Sequence, residues 1–275
     1  MPQGAITLIG VLMQKNSDNY NGGVILEGMT SISAVINGLR AGMEGRTIRT
    51  VYYDREKEHA KARELGFLRA VSGELGFSLT PCSAEEIDEL ANGNTHGGIV
   101  ALCSERPIQP LERSLEQSEA WSRTDGFFVL LEGIEDPYNF GYALRSLYAA
   151  GADGIVLCPR NWMSAAGVVA RSSAGASELL PMAECEPSEA ARLLKARGYR
   201  VVCAGIRDSV PLYSSDMRRP LLLVIGGEKR GISRAVLSEA DKIVKISYGR
   251  DFSAALSAAS ATTILAYEIA KQNRK

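Results

Sequence analysis

Hydrophobic and polar positions in the second half of the chain alternate between two periods. Five short apolar runs are separated by stretches with helical spacing. The runs are FFVLL at 127, IVLC at 155, RVVCA at 200, LLLVI at 221 and IVKI at 243. Strands that are apolar at every position are buried on both faces, as in a parallel sheet covered by helices. The pattern therefore predicts an α/β domain built on a parallel sheet.

The first hundred residues predict a second, smaller α/β domain. VILEG and TIRTVYY are typical of strands, and GIVALC, which begins at Gly98, is typical of a buried strand. A helix is predicted from Thr30, as its cap, to Leu39. Ser83 and Glu86 form an S-x-x-E capping box before EIDEL.

Residues 107–124 are rich in proline, hydroxyl and charged residues, which is typical of a linker. We therefore predict domains at residues 1–106 and 125–275. Ser188 is predicted to cap the helix SEAARLLKAR. The segment from Ser253 to Lys275 is apolar nearly all round, which predicts a buried helix. Residues 119–275 are expected to fold alone and to dimerise.

The composition excludes several classes of protein. The 275 residues carry a formal net charge of −1, divided into −4 over residues 1–118 and +3 over the remainder, which is no strong nucleic-acid signal. No window approaches ~18 consecutive apolar residues, so no membrane span is predicted. MPQGAITLIGVLMQK lacks the features of a secretory signal, so a cytoplasmic location is expected. Five scattered cysteines without a CxxC pair predict reduced core thiols, with no disulfide and no metal site.

Common catalytic motifs are absent. The two histidines, His59 and His96, belong to no HExxH, and there is no G-x-S-x-G, Walker A or GxGxxG sequence. The sequence therefore disfavours metal-dependent hydrolysis, nucleophilic hydrolysis and ATP chemistry.

Polar residues and glycines instead follow three of the predicted strands. In the first segment, DPYNFGYALRSLY, Asn139 is placed as a helix cap and Arg145 lies off the apolar stripe, so that it can project beyond the sheet. The stripe consists of Phe140, Ala143, Leu144, Leu147 and Tyr148. The plainer alternative is a solvated arginine and a simple cap.

The second and third segments are LLLVIGGEKRGIS and KISYGRDFSAALSAASATTILAYE. In the second, Gly226 and Gly227 would let the backbone approach a flat ligand, and Glu228 could orient a donor. A tight turn with an exposed carboxylate is the plainer alternative. In the third, the small-residue helix could simply be a packing helix.

In this order and at strand ends, the three segments resemble the motifs of the SpoU (TrmH) family of SPOUT methyltransferases. ARSSAGASELLP at 170–181 resembles the family's segment between its first and second motifs. LEGMTSISAVINGLRAG and NTHGGIVAL resemble a substrate-binding domain related to ribosomal proteins that bind kinked RNA.

The resemblance implies a parallel sheet whose C-terminal part forms a trefoil knot, a rare exception among folds. It implies a homodimer that binds RNA, while the composition and motifs above predict neither a metal nor a membrane partner. It also implies S-adenosylmethionine held mainly by backbone groups. The implied cofactor positions are Ala204, Gly205, Ile225, Gly226, Ile246 and Leu256.

The implied reaction is 2′-O-methylation of an RNA ribose. The family's proposed base corresponds to Arg145, although a guanidinium, which stays protonated in proteins, is better suited to binding a phosphate. Asn139 and Glu228 match positions that hold this arginine and the substrate. In the third motif the family's Ser-Leu-Asn-Val-Ser is replaced by residues 255–259, so that Ser257 stands in place of Asn after a longer turn.

We therefore predict a ribose 2′-O-methyltransferase acting on ribosomal RNA. The alternatives are a tRNA ribose methyltransferase, a catalytically inactive RNA-binding or assembly protein with the same fold, and a base-methylating SPOUT enzyme. Arg145 and Asn139 favour the ribose reaction, because base-methylating branches carry other motif residues.

Overall fold

The computed structural model describes residues 23–159 and 165–274, and the N-terminal segment considered above lies outside them. The chain divides into two compact units. The described part of the first unit comprises residues 23–107 and 165–178, and that of the second comprises residues 108–159 and 179–274. Both units are α/β, as the hydrophobic pattern predicts.

The first unit is built on a four-stranded mixed sheet with the order β1-β4-β2-β3. Its strands are β1 (Gly23–Glu27), β2 (Ile48–Asp54), β3 (Ser78–Cys82) and β4 (Ile99–Ser104). Its helices are α1 (Gly28–Arg40), α2 (Ala62–Leu75) and α3 (Ala84–Leu90), and a 3-10 turn spans Arg55–Lys57. Strand β4 lies antiparallel to β1 and β2, and β2 lies parallel to β3.

The second unit contains an eight-stranded sheet in which all the strand pairs are parallel, with the order β10-β12-β9-β11-β6-β7-β8-β5. The strands are β5 (Gln109–Pro110), β6 (Phe127–Glu132), β7 (Gly154–Leu157), β8 (Met182–Glu184), β9 (Arg200–Ala204), β10 (Val210–Pro211), β11 (Leu221–Gly226) and β12 (Lys242–Lys245). The five predicted apolar runs form β6, β7, β9, β11 and β12. The first four strands are buried over most of their length, whereas in β12 only Val244 is buried.

Helices cover this sheet, and the knot implied by the resemblance stays a prediction. They are α4 (Leu111–Gln117), α5 (Pro137–Ala149), α8 (Pro187–Ala196), α9 (Arg234–Leu237) and α10 (Ala258–Gln272), while a 3-10 turn spans Leu212–Ser214. The edge of the sheet at which the parallel strands end is called the carboxyl edge below, and the opposite edge is called the amino edge.

The units differ from the predicted domain limits in two places, and the first is the segment 165–178. Its helices α6 (Ala166–Ser172) and α7 (Ala176–Leu179, whose last residue falls in the second unit) pack on the first unit. Ala166 and Ala170 belong to the hydrophobic core that Leu26 and Ile32 form. Glu178 pairs with Arg46 at 3.1 Å, and both side chains are buried. Sequence order placed this segment in the later domain, but long-range burial decides its position.

The second difference is the predicted linker, which is ordered structure of the second unit. Strand β5 pairs with β8, and α4 buries Leu111 and Leu115. Trp121 is also buried, and its ring stacks on Phe128 with centroids 4.6 Å apart. Two apolar residues at i, i+4 spacing are enough to bury one face of a helix whose other positions are polar. The polar composition therefore concealed an amphipathic helix.

Helix starts also depart from two predictions. Helix α1 begins at Gly28, two residues before Thr30, and no side chain caps it. Helix α8 is capped by Glu186, which accepts a hydrogen bond from the amide of Glu189, so Ser188 is not the cap. The capping box of Ser83 and Glu86 is confirmed.

The five cysteines are free thiols. Cys82, Cys103 and Cys203 are buried, while Cys158 and Cys185 are half-buried. Burial raises the pKa of Cys103 and of Cys203 to about 12, so these thiols stay protonated at neutral pH. Over the described residues, no helix is long and apolar enough to cross a membrane, and no group of three His, Cys, Asp or Glu side chains could hold a metal ion.

Candidate active site

The carboxyl edge of the large sheet brings together residues that are far apart in sequence. Gly226, the last residue of β11, is paired with Glu132 at the end of β6. On the other side of β11, strand β9 pairs with β12, and the amide of Gly205 donates to the carbonyl of Val244 at 3.0 Å. The segments that follow these strands are the three motif regions, and they share one edge.

Glu228 connects all three regions. Asn139 Nδ2 donates to Glu228 Oε1 at 3.0 Å, and the backbone amide of Ala258 donates to the same oxygen at 3.2 Å. Glu228 follows β11, Asn139 lies in the first turn of α5, and Ala258 begins α10. One carboxylate oxygen therefore holds the start of two helices against the turn after β11.

Asn139 is free for this contact because another residue caps its helix. Asp136 is the N-cap of α5 and accepts a hydrogen bond from the amide of Asn139 at 2.7 Å. The sequence-based assignment of Asn139 as the cap is therefore wrong. Pro137 at the first helical position fixes φ close to its helical value, so the Asp-Pro pair starts the helix. That pair was the signal that sequence reasoning missed.

Arg145 lies on the same helix, six residues after Asn139, and is exposed. Within residues 23–159 and 165–274 its guanidinium makes no hydrogen bond or ion pair. The predicted apolar stripe is buried at Phe140, Ala143, Leu144 and Leu147. Tyr148 was predicted to continue this stripe, but it is 47% exposed.

Ser257 caps α10, and no side-chain hydrogen bond joins it to Asn139 or Glu228 in the part of the chain that the structure describes. Its hydroxyl oxygen accepts from the amide of Ser260 at 3.1 Å, and the hydroxyls of Ser257 and Ser260 are 3.0 Å apart. The structure therefore shows a capping role for this side chain. The backbone amide of the next residue, Ala258, makes the contact with Glu228.

A small cavity lies at this junction. It has a volume of about 120 Å³. Its lining includes Gly133, Asp136, Asn139, Glu228, Lys229 and Ala258. A water molecule takes about 30 Å³ of liquid, so the cavity has room for a group of several heavy atoms. Lys229 pairs with Glu135 at 3.0 Å at its margin. The lining offers both acceptors and donors to a hydroxylated group.

The glycine pair after β11 is required by the backbone itself. A Cβ on Gly227 would lie 1.9 Å from the carbonyl oxygen of Gly133, and one on Gly226 would lie 2.3 Å from the carbonyl carbon of Gly231. These separations exclude any side chain. The glycines therefore permit two chain segments to cross closely, whereas the sequence suggested that they make room for a ligand.

The residues that the resemblance assigns to the cofactor lie at the ends of neighbouring strands. Ala204 ends β9, Ile225 lies in β11, and Ile246 follows β12 directly. Ile225 is buried, so it can offer a ligand only its backbone. Apolar side chains beside strand-end backbone groups fit an adenine base, which is flat and uncharged.

The position of Leu256 shows a contact that the sequence did not reveal. Its backbone amide donates to the hydroxyl oxygen of Tyr248 at 3.2 Å. This bond closes the segment 246–257, which is the longer turn of the third region. No motif or periodicity marked Tyr248 as part of this edge, because the contact depends on how the turn folds back.

Comparisons with known proteins show which family the chain resembles. The model of the SpoU rRNA Methylase family matches residues 126–267. The chain is 31% identical over 201 residues to the 23S rRNA (guanosine-2'-O-)-methyltransferase RlmB of Shewanella oneidensis, covering 72% of this chain and 80% of that protein. It is 30% identical to the putative TrmH family tRNA/rRNA methyltransferase YacO of Bacillus subtilis, covering 70% and 77%.

Two solved structures share the fold. The SpoU methyltransferase AviRb of Streptomyces viridochromogenes, in complex with AdoMet, has a TM-score of 0.75 and 26% identity, and the alignment covers 96% of each chain. An rRNA methyltransferase of Sinorhizobium meliloti has a TM-score of 0.74 with 20% identity, covering 98% of this chain and 97% of that one.

Proposed function

The chain belongs to the SpoU rRNA methylase family, and from this premise we propose that it methylates a ribose 2′-hydroxyl of ribosomal RNA, using S-adenosylmethionine as the methyl donor. The observation that carries the proposal is the junction at Glu228. Its carboxylate joins Asn139 and the start of α10 beside a cavity in which a hydroxylated group fits.

The reaction needs positioning more than it needs strong acids or bases. A ribose hydroxyl is a poor nucleophile, so its alignment with the transferred methyl group contributes much of the rate. The unpaired guanidinium of Arg145 suits a substrate phosphate, which it can bind through two parallel hydrogen bonds. Asn139 is held by Glu228, and its side-chain oxygen remains available to accept a hydrogen bond in the cavity.

S-adenosylmethionine supplies, when bound, a methyl group on a positively charged sulfur. The backbone at Ala204, Gly205, Ile225 and Gly226, with the side chains of Ile246 and Leu256, would hold it at the carboxyl edge. The relative AviRb, whose structure contains AdoMet, supports S-adenosylmethionine as the methyl donor. The amide of Leu256 is engaged by Tyr248, so its remaining backbone group for a ligand is its carbonyl oxygen.

We assign the first unit to recognition of the RNA, as its resemblance to RNA-binding ribosomal proteins implies. We also propose that the protein is a homodimer. Helices α5 and α10 pack together, and Ser146 Oγ lies 2.7 Å from Thr263 Oγ1 between them. Tyr142 and Tyr267 on this helix pair are 48% and 46% exposed. Exposed tyrosines are enriched at protein interfaces, so this pair supports association through these helices.

The proposal is tested by mapping ribose methylation across the RNAs of the host with and without the gene. One ribosomal ribose should lose its methyl group when the gene is deleted, and purified protein should restore it on RNA from the deletion strain. A site restored on transfer RNA alone would replace ribosomal RNA as the substrate. Loss of no site, together with retained RNA binding, would favour an inactive RNA-binding protein.

A further inference from the structure

Four arginines at the amino edge of the large sheet pair with aspartates. Arg123 precedes β6 and pairs with Asp125 at 3.0 Å, and Arg218 precedes β11 and pairs with Asp216 at 2.9 Å. Two further arginines at this edge are also paired. They are Arg200 with Asp216 at 3.7 Å, and Arg219 with Asp153 at 3.3 Å. Aspartates therefore compensate most of the positive charge at this edge.

The arginines that follow the carboxyl ends of the strands are exposed and unpaired. In the described part of the chain these guanidinium groups have neither a hydrogen-bond partner nor an ion-pair partner. They are Arg207 after β9, Arg230 and Arg234 after β11, and Arg250 after β12. The acidic neighbours Asp208 and Asp251 are exposed but form no ion pair with them. The positive charge at this edge is therefore free to bind an anion.

Two aromatic residues flank Arg250 in the sequence. Tyr248 and Phe252 lie in the segment 246–257, are 39% and 58% exposed, and have ring centroids 6.0 Å apart. The hydroxyl of Tyr248 accepts from the amide of Leu256, so this ring is held at one end while the residue stays partly exposed. The segment ends at Ser257, next to the amide of Ala258 that contacts Glu228. The segment that carries the two rings therefore ends at the candidate active site.

We propose that the carboxyl edge of the second unit is the binding surface for an unpaired stretch of the substrate RNA, in which the four arginines hold phosphates while Tyr248 and Phe252 stack on bases. The inference rests on the proposed function, because it places the surface beside the reacting ribose. It adds to that function the class of RNA that binds there and the residues that bind it.

The aromatic pair decides between unpaired and helical RNA. Bases in an A-form helix are stacked on one another, and their faces are closed to side chains. A base that has left the helix can stack on an exposed aromatic ring, and a positively charged surface can follow its backbone. Arginines alone would bind the phosphates of either form of RNA, whereas exposed aromatic rings favour binding of the unpaired form.

The experiment compares charge removal at the two edges of the full-length protein. Arg207→Gln with Arg250→Gln removes two charges from the carboxyl edge. The matched control is Arg218→Gln with Arg274→Gln. Arg274 follows Asn273, whose side chain accepts from the amide of Arg219, so this pair lies at the amino edge. Binding of a labelled oligoribonucleotide of roughly twelve nucleotides is measured against salt concentration.

The carboxyl-edge pair should weaken binding about tenfold and lower the slope of log affinity against log salt by about 1.4, since each single-strand phosphate contact contributes about 0.7. The control pair should bind within about twofold of the wild type. Equal weakening by both pairs would overturn the proposal, as would failure of the wild type to bind the oligonucleotide.

A second pair of variants tests the rings. Tyr248→Leu and Phe252→Leu should each weaken binding of the single strand about tenfold, a typical loss for one stacked base, and leave binding of the same strand annealed to its complement unchanged. Tyr248→Phe keeps the ring and should bind normally. Equal affinity of the wild type for single and double strands would contradict the unpaired form. Loss of S-adenosylmethionine binding in Tyr248→Leu, with RNA binding intact, would assign the ring to the cofactor instead.

These measurements do not depend on methyl transfer. If the variants behave as expected but ribosomal RNA gains no methyl group from the wild type, the proposed reaction fails and the binding surface stands. If methyl transfer occurs and all variants bind as the wild type does, the surface fails and the reaction stands.

Discussion

Asn139 and Glu228 are 89 residues apart in sequence, yet Asn139 Nδ2 lies 3.0 Å from Glu228 Oε1. The same carboxylate oxygen accepts from the amide of Ala258. A single acceptor shared by two donors from two helices fixes the geometry of the junction more firmly than either bond alone. The following variants test what this junction and its surroundings do.

Replacing Glu228 should separate its role as an acceptor from its charge. Glu228→Ala removes both hydrogen bonds and should lower methyl transfer at least tenfold, whereas Glu228→Gln keeps an oxygen in place and should retain more activity. In a double-mutant cycle with Asn139→Ala, the two losses should not add, because both variants break the same bond. The measurements are single-turnover rates and cofactor titration. Additive losses would show that the two side chains act separately.

Arg145→Ala should leave the fold intact, because the residue is exposed and the buried stripe of α5 is untouched. Cofactor affinity should also persist, since the implied cofactor positions lie elsewhere. Methyl transfer should fall about 100-fold, as expected when a group that positions the nucleophile is lost. Arg192→Ala, an exposed arginine on α8, is the matched control and should transfer methyl groups normally. An Arg145→Ala rate equal to the wild type would refute its role.

Ser257→Ala should destabilise the protein by about 1 kcal/mol, because it removes the cap of α10. Ser257→Asn keeps a capping side chain and should restore the stability. Cofactor affinity should stay within about threefold of the wild type in Ser257→Ala, while turnover falls, since one neutral hydrogen bond contributes ~0.5 to 1.5 kcal/mol. Urea unfolding and turnover at a temperature well below the transition would separate the two effects. Unchanged turnover in a destabilised variant would limit Ser257 to capping.

Glu178→Ala should destabilise the protein by about 3 to 5 kcal/mol, because it leaves the buried guanidinium of Arg46 without its partner. Glu74→Ala breaks an exposed pair with Arg40 and serves as the control, with an expected loss much smaller than that of Glu178→Ala. Thermal and urea unfolding of both variants make the comparison. Similar losses in the two would mean that burial adds nothing to the Arg46 pair.

The fragment 119–275 should fail to fold as a soluble protein. It lacks β5 and α4, and it lacks the first unit, on which Ala166 and Ala170 are buried. This prediction differs from the expectation from sequence alone, that this half folds and dimerises independently. Circular dichroism and light scattering would check it, with the full-length chain as the control. A soluble dimer that unfolds cooperatively would show that the segment 165–178 finds another partner surface.

The sequence by itself determined the α/β class, the five long strands of the parallel sheet and the three motif regions at their ends. Continuous apolar runs such as LLLVI are typical of strands in a sheet covered on both faces, so the local sequence was enough to predict these strands. The first residue of a helix was harder to predict from sequence. Asp136 and Asn139 are both residue types that favour the N-cap, and only one of them can occupy that position.

The tertiary structure alone decided which residues meet. Sequence distance carries no information about the contact of Glu228 with Asn139 and Ala258, or about Gly227 crossing Gly133. The tertiary structure likewise places residues 165–178 on the first unit, because burying Ala166 and Ala170 there removes apolar surface from water. This gain in stability depends on the partner surface and on no local pattern. Periodicity shows which face of an element is buried, and only the folded chain shows against what.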